Sequence, residues 1–127
     1  MGYDITLEKN ATPCLVPRHS EGGQYALGGT VDAHMYITGN YTPLWSRAFG
    51  PKPEGPNAEL YGIGPWLQGL SAAETLAMLQ AGVANLGDEQ PDNDYWKPCA
   101  GNACHVLRVL IGWAANHPDG IWNIDGG

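Results

Sequence analysis

The sequence predicts a single α+β domain: a small antiparallel sheet from the N-terminal half, two main C-terminal helices packed on one face of it, and a short final strand. Three observations predict it. Apolar and polar residues alternate with a period of two in the N-terminal part, the apolar spacing becomes helical after Ser71, and Gly or Pro clusters separate the segments. Strands first and helices after is the α+β order. At 127 residues the chain has the length of one domain, 1–127, and it can bury about two-thirds of the surface that its unfolded form exposes.

The elements follow in order. In Tyr3-Asp4-Ile5-Thr6-Leu7-Glu8 strict alternation puts Tyr3, Ile5 and Leu7 on one face. Lys9-Asn10-Ala11-Thr12 is a turn, and Cys14-Leu15-Val16 a short strand begun by Pro13 and closed by Pro17. Gln24-Tyr25-Ala26-Leu27, between two Gly pairs, reads as a third strand. From Val31 to Thr38 the alternation returns: Ala33, Met35 and Ile37 face the core, while Asp32, His34, Tyr36 and Thr38 share the wet side. Thr42 caps a short helix through Phe49, with Pro43 at its first position. Residues 50–57, rich in Pro and Gly, form an exposed loop expected to be the most mobile segment.

Ser71-Ala72-Ala73-Glu74 is a capping box, in which hydroxyl and carboxylate each satisfy an orphan amide. Leu76, Leu79, Val83 and Leu86 continue it as an apolar stripe, and Gly87 ends the helix in the left-handed conformation. A second helix starts near Asn102 as its cap, buries Val106, Leu107, Leu110, Ile111 and Ala114, and stops at His117-Pro118. Asp119-Gly120 turns into Ile121–Ile124, a last strand placed to rejoin the sheet.

Charge narrows the function classes. The net charge is −7, from 13 acidic and 6 basic side chains, with most of the acidic excess after residue 50. Phosphate backbones are bound by Lys and Arg, so a nucleic-acid binder is disfavoured, and the acids are too sparse for a DNA mimic. No apolar run reaches the roughly 18 residues of a membrane span. Met1-Gly2-Tyr3-Asp4 lacks the regions of a signal peptide, and Leu7 stands where a myristoylation motif wants Ser or Thr. The expected address is a cytoplasm, where the three cysteines stay free thiols.

Four constellations carry candidate chemistry. Cys99, Cys104, His105 and His117 invite a metal, but the spacing of the thiols is loose for zinc. On a helix, moreover, Cys104 and His105 point about 100° apart, so no metal site and no cofactor is expected. Asp32, His34 and Tyr36 share one strand face, which is the best acid–base row in the chain and also what the solvent side of any half-buried strand looks like. With no nucleophile elbow, P-loop or dinucleotide fingerprint, no catalytic residue is assigned. Asp88, Glu89, Asp92 and Asp94 crowd one loop without the pattern of an EF-hand. They read as a solvated acidic loop that would suit a basic partner. Of the five tryptophans, Trp66, Trp96 and Trp122 fall in or beside loops, where aromatics serve equally as recognition surfaces or as lids over a small core. Trp45 and Trp113 sit on helices, Trp113 in the core.

Several short stretches occur together in a familiar order: Tyr3-Asp4-Ile5-Thr6-Leu7, Glu21-Gly22-Gly23-Gln24-Tyr25-Ala26-Leu27-Gly28-Gly29-Thr30, Asn40-Tyr41, Ala73-Glu74-Thr75, Asp94-Tyr95-Trp96, Gly101-Asn102-Ala103 and His117-Pro118-Asp119-Gly120-Ile121-Trp122. With them the chain resembles, over nearly its whole length, a family of small uncharacterised proteins of bacteriophages and prophages, mainly of actinobacterial hosts. It departs at 50–67, which is longer, and at Cys99 and Cys104, where non-thiol residues are usual. The family carries no activity over. What the resemblance implies is origin: a phage accessory product acting in the host bacterial cytoplasm.

The functional expectation is a small non-enzymatic binding protein that inhibits a host bacterial protein, as an anti-defence factor would. Its binding residues are Trp66, Tyr95, Trp96, Asp92, Asp94, Asn40 and Tyr41. The alternative is sequestration of a small nucleotide signal, with amides of the Gly pairs and Arg18, His19 or Arg47 as ligands. An enzyme using the Asp32/His34 face comes third. Neither nucleic acid nor membrane is an expected partner, and self-association is left open.

Overall fold

Strand β1 (Gly2–Lys9) is the centre of the sheet, because its alternation buries Tyr3, Ile5 and Leu7 and leaves Asp4, Thr6 and Glu8 on the other face. The computed structural model describes residues 2–19, 29–87 and 89–126. A two-residue turn at Asn10 and Ala11, both with positive φ (55° and 61°), brings β2 (Thr12–Pro13) back beside the end of β1. Along the rest of that side runs β5 (His34–Thr38), antiparallel from Gly2 opposite Thr38 to Thr6 opposite His34. The opposite side of β1 is taken by β6 (Ile121–Gly126), antiparallel from Tyr3 opposite Gly126 to Glu8 opposite Ile121. The final strand therefore joins the first, as the α+β reading expects, and extends two residues past Ile124.

Two strands differ from expectation. Strand β3 (Leu15–His19) continues through Pro17, pairing irregularly with β4 (Thr30–Asp32). Proline is tolerated there because the irregular pairing between Leu15 and His19 asks no ladder hydrogen bond of it. The stretch from Val31 to Thr38 is two strands, not one. It bends at Ala33, whose amide bonds Cys14 while its carbonyl accepts from Leu7, so the chain leaves one sheet for the other. The faces are as predicted for Ala33, Met35 and Ile37, all buried; Thr38 is buried as well. The strand expected at Gln24–Leu27 lies outside the described residues.

Helix α1 (Thr42–Phe49) is preceded by a 3-10 turn, Gly39–Tyr41. Thr42 is not the cap. Tyr41 stands at the cap position without a side-chain cap bond, and it is the preceding 3-10 turn that is capped, by Thr38, whose Oγ1 accepts from the Asn40 amide at 3.2 Å. A single helical turn, α2 (Gly64–Leu67), contains Trp66, which the sequence assigned to a loop. Helix α3 (Ala72–Leu86) carries the expected capping box. Its buried stripe is Ala72, Thr75, Leu79, Gly82 and Leu86, rotated slightly from the predicted one because the small Gly82 admits the Phe49 ring; a Cβ there would stand 2.6 Å from Phe49 Cε1. Gly87 closes the helix with φ 95° and ψ 172°, so it has the positive φ but not the left-handed helical ψ. Helix α4 (Ala100–Asn116) begins two residues before Asn102, with Cys99 at its cap position, and packs along α3.

The core lies between the sheet and these helices. Trp45 and Trp122, both fully buried, keep their indole N–H groups bonded, to Tyr3 Oη at 3.1 Å and to Thr75 Oγ1 at 2.8 Å. The Tyr3 hydroxyl also accepts from the Ile63 amide, and burial raises its pKa well above the usual phenol range, so it stays protonated. Among the described residues no helix is long and apolar enough to cross a membrane.

Candidate functional site

Six of the seven predicted binding residues converge on one feature, the 89–99 loop, and a buried side chain that the sequence assigned to helix capping explains how. Asn102 sits in the first turn of α4, 5% exposed. Its Oδ1 accepts from the Asp92 amide at 2.8 Å, and its Nδ2 donates to the carbonyls of Asp94 and Lys97, each at 2.9 Å. One amide side chain thus replaces the ladder that the loop lacks. Within the loop, Asp92 Oδ1 accepts from the Asp94 amide and Asp94 Oδ1 from the Trp96 amide, two successive Asx turns. Lys97 reaches Asp92 Oδ2 at 3.2 Å. The Asp94 amide first and Lys97 second hold the Asp92 carboxyl below its usual range. Glu89, Asp92 and Asp94 are exposed; Asp88 is outside the described residues.

The aromatic pair is pinned from the opposite side. Tyr41 is buried and donates to the Tyr95 carbonyl, while Asn40 Nδ2 donates to the Trp96 carbonyl at 2.9 Å. Tyr41 is therefore a positioning residue rather than a contact surface. The Tyr95 hydroxyl accepts from the Thr38 amide at 3.1 Å and donates to the Tyr36 carbonyl at 2.9 Å, replacing a neighbouring strand on the outer side of β5. Burial, opposed by the Thr38 amide, pushes the phenol up to about 12, so it keeps the proton this donation needs. Trp96 stands edge-on to Tyr95, ring centres 4.9 Å apart, and is half-buried.

Trp66 belongs to a different place. It lines a cleft of about 580 Å³ against the start of α1. One wall is a helical stripe of small residues, Gly39, Thr42, Pro43 and Ser46; the other carries Tyr61 and Trp66, with Lys52 and Glu59 also lining it. The Trp66 ring is 95% covered and packs against Phe49 at 5.7 Å. Its Nε1 and Thr42 Oγ1 are both buried without a hydrogen-bond partner among the described residues. Trp66 also borders a smaller cleft of about 190 Å³ with Pro53, Gly55, Pro56 and Asn57, so the Pro/Gly stretch and this tryptophan do adjoin. The Gly39–Tyr41 turn separates the two features: Gly39 faces the cleft and Asn40 the loop.

The remaining candidates do not assemble. Asp32 lies beyond the bend at Ala33, and His34 pairs with Asp4 at 2.9 Å on the open face of the sheet. Cys104 is buried with its thiol towards the Gly87 carbonyl, whereas its neighbour His105 is exposed, so the two point apart. His117 Nε2 meets the Leu15 carbonyl at 2.7 Å. No three metal-ligating side chains come together among the described residues. The cationic and imidazole groups proposed for a nucleotide are engaged with main-chain oxygens: Arg18 with Gly29, His19 with Asp32 and Arg47 with Leu86. No family model, curated protein or solved structure matches this chain.

Proposed function

We propose that the chain is a small non-enzymatic binding protein of bacteriophage or prophage origin that attaches to a host bacterial protein in the bacterial cytoplasm and inhibits it, in the manner of an anti-defence factor. One observation carries the binding part: the 89–99 loop is held in one shape by Asn102, Asn40 and Tyr41 while it presents Trp96 and three carboxylates. A loop fixed before contact loses little further freedom on binding. Its carboxylates suit a basic surface, which speeds association and makes it sensitive to salt. The phage origin rests on the sequence resemblance. Sequestration of a nucleotide is the weaker reading, since Arg18, His19 and Arg47 already bond main-chain carbonyls.

The test is comparative capture from a bacterial extract. Wild type, Trp96→Ala and Asp94→Lys are immobilised after melting curves show that each is folded. A specific partner is retained by wild type, lost with Trp96→Ala, and released more readily by Asp94→Lys or by added salt. Equal retention of the same partner by all three proteins would remove the loop as the contact surface.

A further inference from the structure

We infer that the cleft between the start of α1 and the Glu59–Trp66 segment binds a zwitterionic amino compound, an amino acid or a peptide of two or three residues, with an apolar side chain. At about 580 Å³ the cleft is within the size range of small-ligand sites, roughly 300–1,000 Å³.

Two buried polar atoms mark it as a place for a ligand. Buried polar groups are ordinarily hydrogen-bonded, and every exception asks for a cause. Among the described residues both exceptions at side-chain atoms, Thr42 Oγ1 and Trp66 Nε1, belong to residues lining this cleft. The hydroxyl of a helical threonine commonly bonds the carbonyl four residues back; that of Thr42 does not. By contrast, the buried indoles of Trp45 and Trp122 each have a protein acceptor for the N–H. A hydroxyl can donate or accept, and an indole N–H requires an acceptor such as a carboxylate or amide oxygen, so a ligand carrying both kinds of group suits the pair.

Charge selects the class. Lys52 and Glu59 are the charged residues of the lining, and neither forms an ion pair among the described residues, whereas Lys9 pairs with Asp119 and Lys97 with Asp92. The lining is therefore neutral as a whole, and the protein around it carries −7. An anion such as a nucleotide meets Glu59 and that net field; a zwitterion sets its carboxylate toward Lys52 and its ammonium toward Glu59. Tyr61, Leu60 and the Trp66 ring supply the apolar wall for its side chain.

The inference stands apart from the loop reading, and the experiment separates them. Isotope-labelled protein is titrated with L-phenylalanine, with the dipeptide Leu-Phe, with uncharged N-acetyl-phenylalanine amide and with AMP. The Trp66 indole N–H signal is identified by its loss in Trp66→Phe. Phenylalanine or the dipeptide should move that signal, and the tighter of the two tells the free amino acid from the peptide. The uncharged amide and AMP should bind at least about tenfold more weakly. Thr42→Val, Lys52→Met and Glu59→Gln should each weaken binding of the zwitterion, again by about tenfold or more. Thr42→Val should at the same time raise the melting temperature by about 2–4 °C, because it removes an unsatisfied hydroxyl. Trp96→Ala and Asp94→Lys should bind the dipeptide like wild type, so failure of the loop reading leaves this result untouched. The inference falls if neither zwitterion moves the Trp66 signal at about 10 mM, if AMP moves it and the zwitterions do not, or if Thr42→Val leaves their affinity unchanged.

Discussion

Asn102 shows what a single residue contributes here. Its three hydrogen bonds hold the backbone of Asp92, Asp94 and Lys97. Asn102→Ala should cost about 2–4 kcal/mol, at roughly 1 kcal/mol per lost bond plus the buried groups left unpaired. Denaturant unfolding measures the loss, and hydrogen exchange at the Asp92 amide should speed up while α3 stays protected. An unchanged exchange rate would mean that the loop holds itself. The role of this residue was not legible in the sequence. An Asn just before an apolar run has the signature of a cap, and only the start of α4 at Ala100 turns it back toward the loop. Thr42 is no cap because a 3-10 turn without periodic signal runs ahead of it, and the side-chain cap there, Thr38, belongs to that turn. Ser71 and Glu74 were readable because a capping box is local in sequence and complete within one helical turn. Asn40, Tyr95 and Trp96 lie together in the structure, whereas Trp66 lines a separate cleft.

At the scale of elements, the strands and helices follow from periodicity wherever one face is buried and the other wet. β1 and the core-facing side of β5 were read residue by residue. The bend at Ala33 was not, because a strand that passes from one partner to another keeps its alternation through the bend. The helix faces rest on Leu79 and Leu110, both fully buried. Leu79→Asp should leave the protein insoluble or unfolded. It buries a charge without a partner, at a cost of several kcal/mol against a total stability of about 5–15. Circular dichroism and sedimentation of the variant test this; a soluble, cooperatively melting Leu79→Asp would mean that α3 does not pack on this face. Gly82 teaches the complementary lesson. Its place in the buried stripe follows from what must fit beside it, the Phe49 ring, and a hydrophobic pattern gives glycine no weight.

For the whole molecule, charge sets how stability depends on pH. Asp92, Asp119 and Glu74 each have a carboxyl held below the usual range, by the Asp94 amide, by Lys9 and by the Ser71 amide respectively. A carboxyl depressed on folding contributes stability above its unfolded value and loses it as the pH falls through its folded one. All three are exposed, so each effect is small and screened by salt. The melting temperature should decline as the pH drops below about 4, and Asp92→Asn should flatten that decline. A wild-type melting temperature that rises steadily on acidification from pH 4 to about 2 would contradict the assignment. The pinning of Tyr95 has a consequence on this scale too. Unpaired strand margins invite copies of a protein to stack into fibres. The β6 margin is occupied by the 68–71 segment, through the Gly69 amide to the Trp122 carbonyl, the Trp122 amide to the Leu70 carbonyl, and Gln68 Oε1 to the Ile124 amide. On the far margin, among the described residues, the Tyr95 phenol bonds the backbone at Tyr36 and Thr38. Tyr95→Phe keeps the ring and removes both bonds, so concentrated solutions of it should scatter light and bind thioflavin while wild type stays clear. A single oxygen atom would then set the concentration at which this protein stays dissolved.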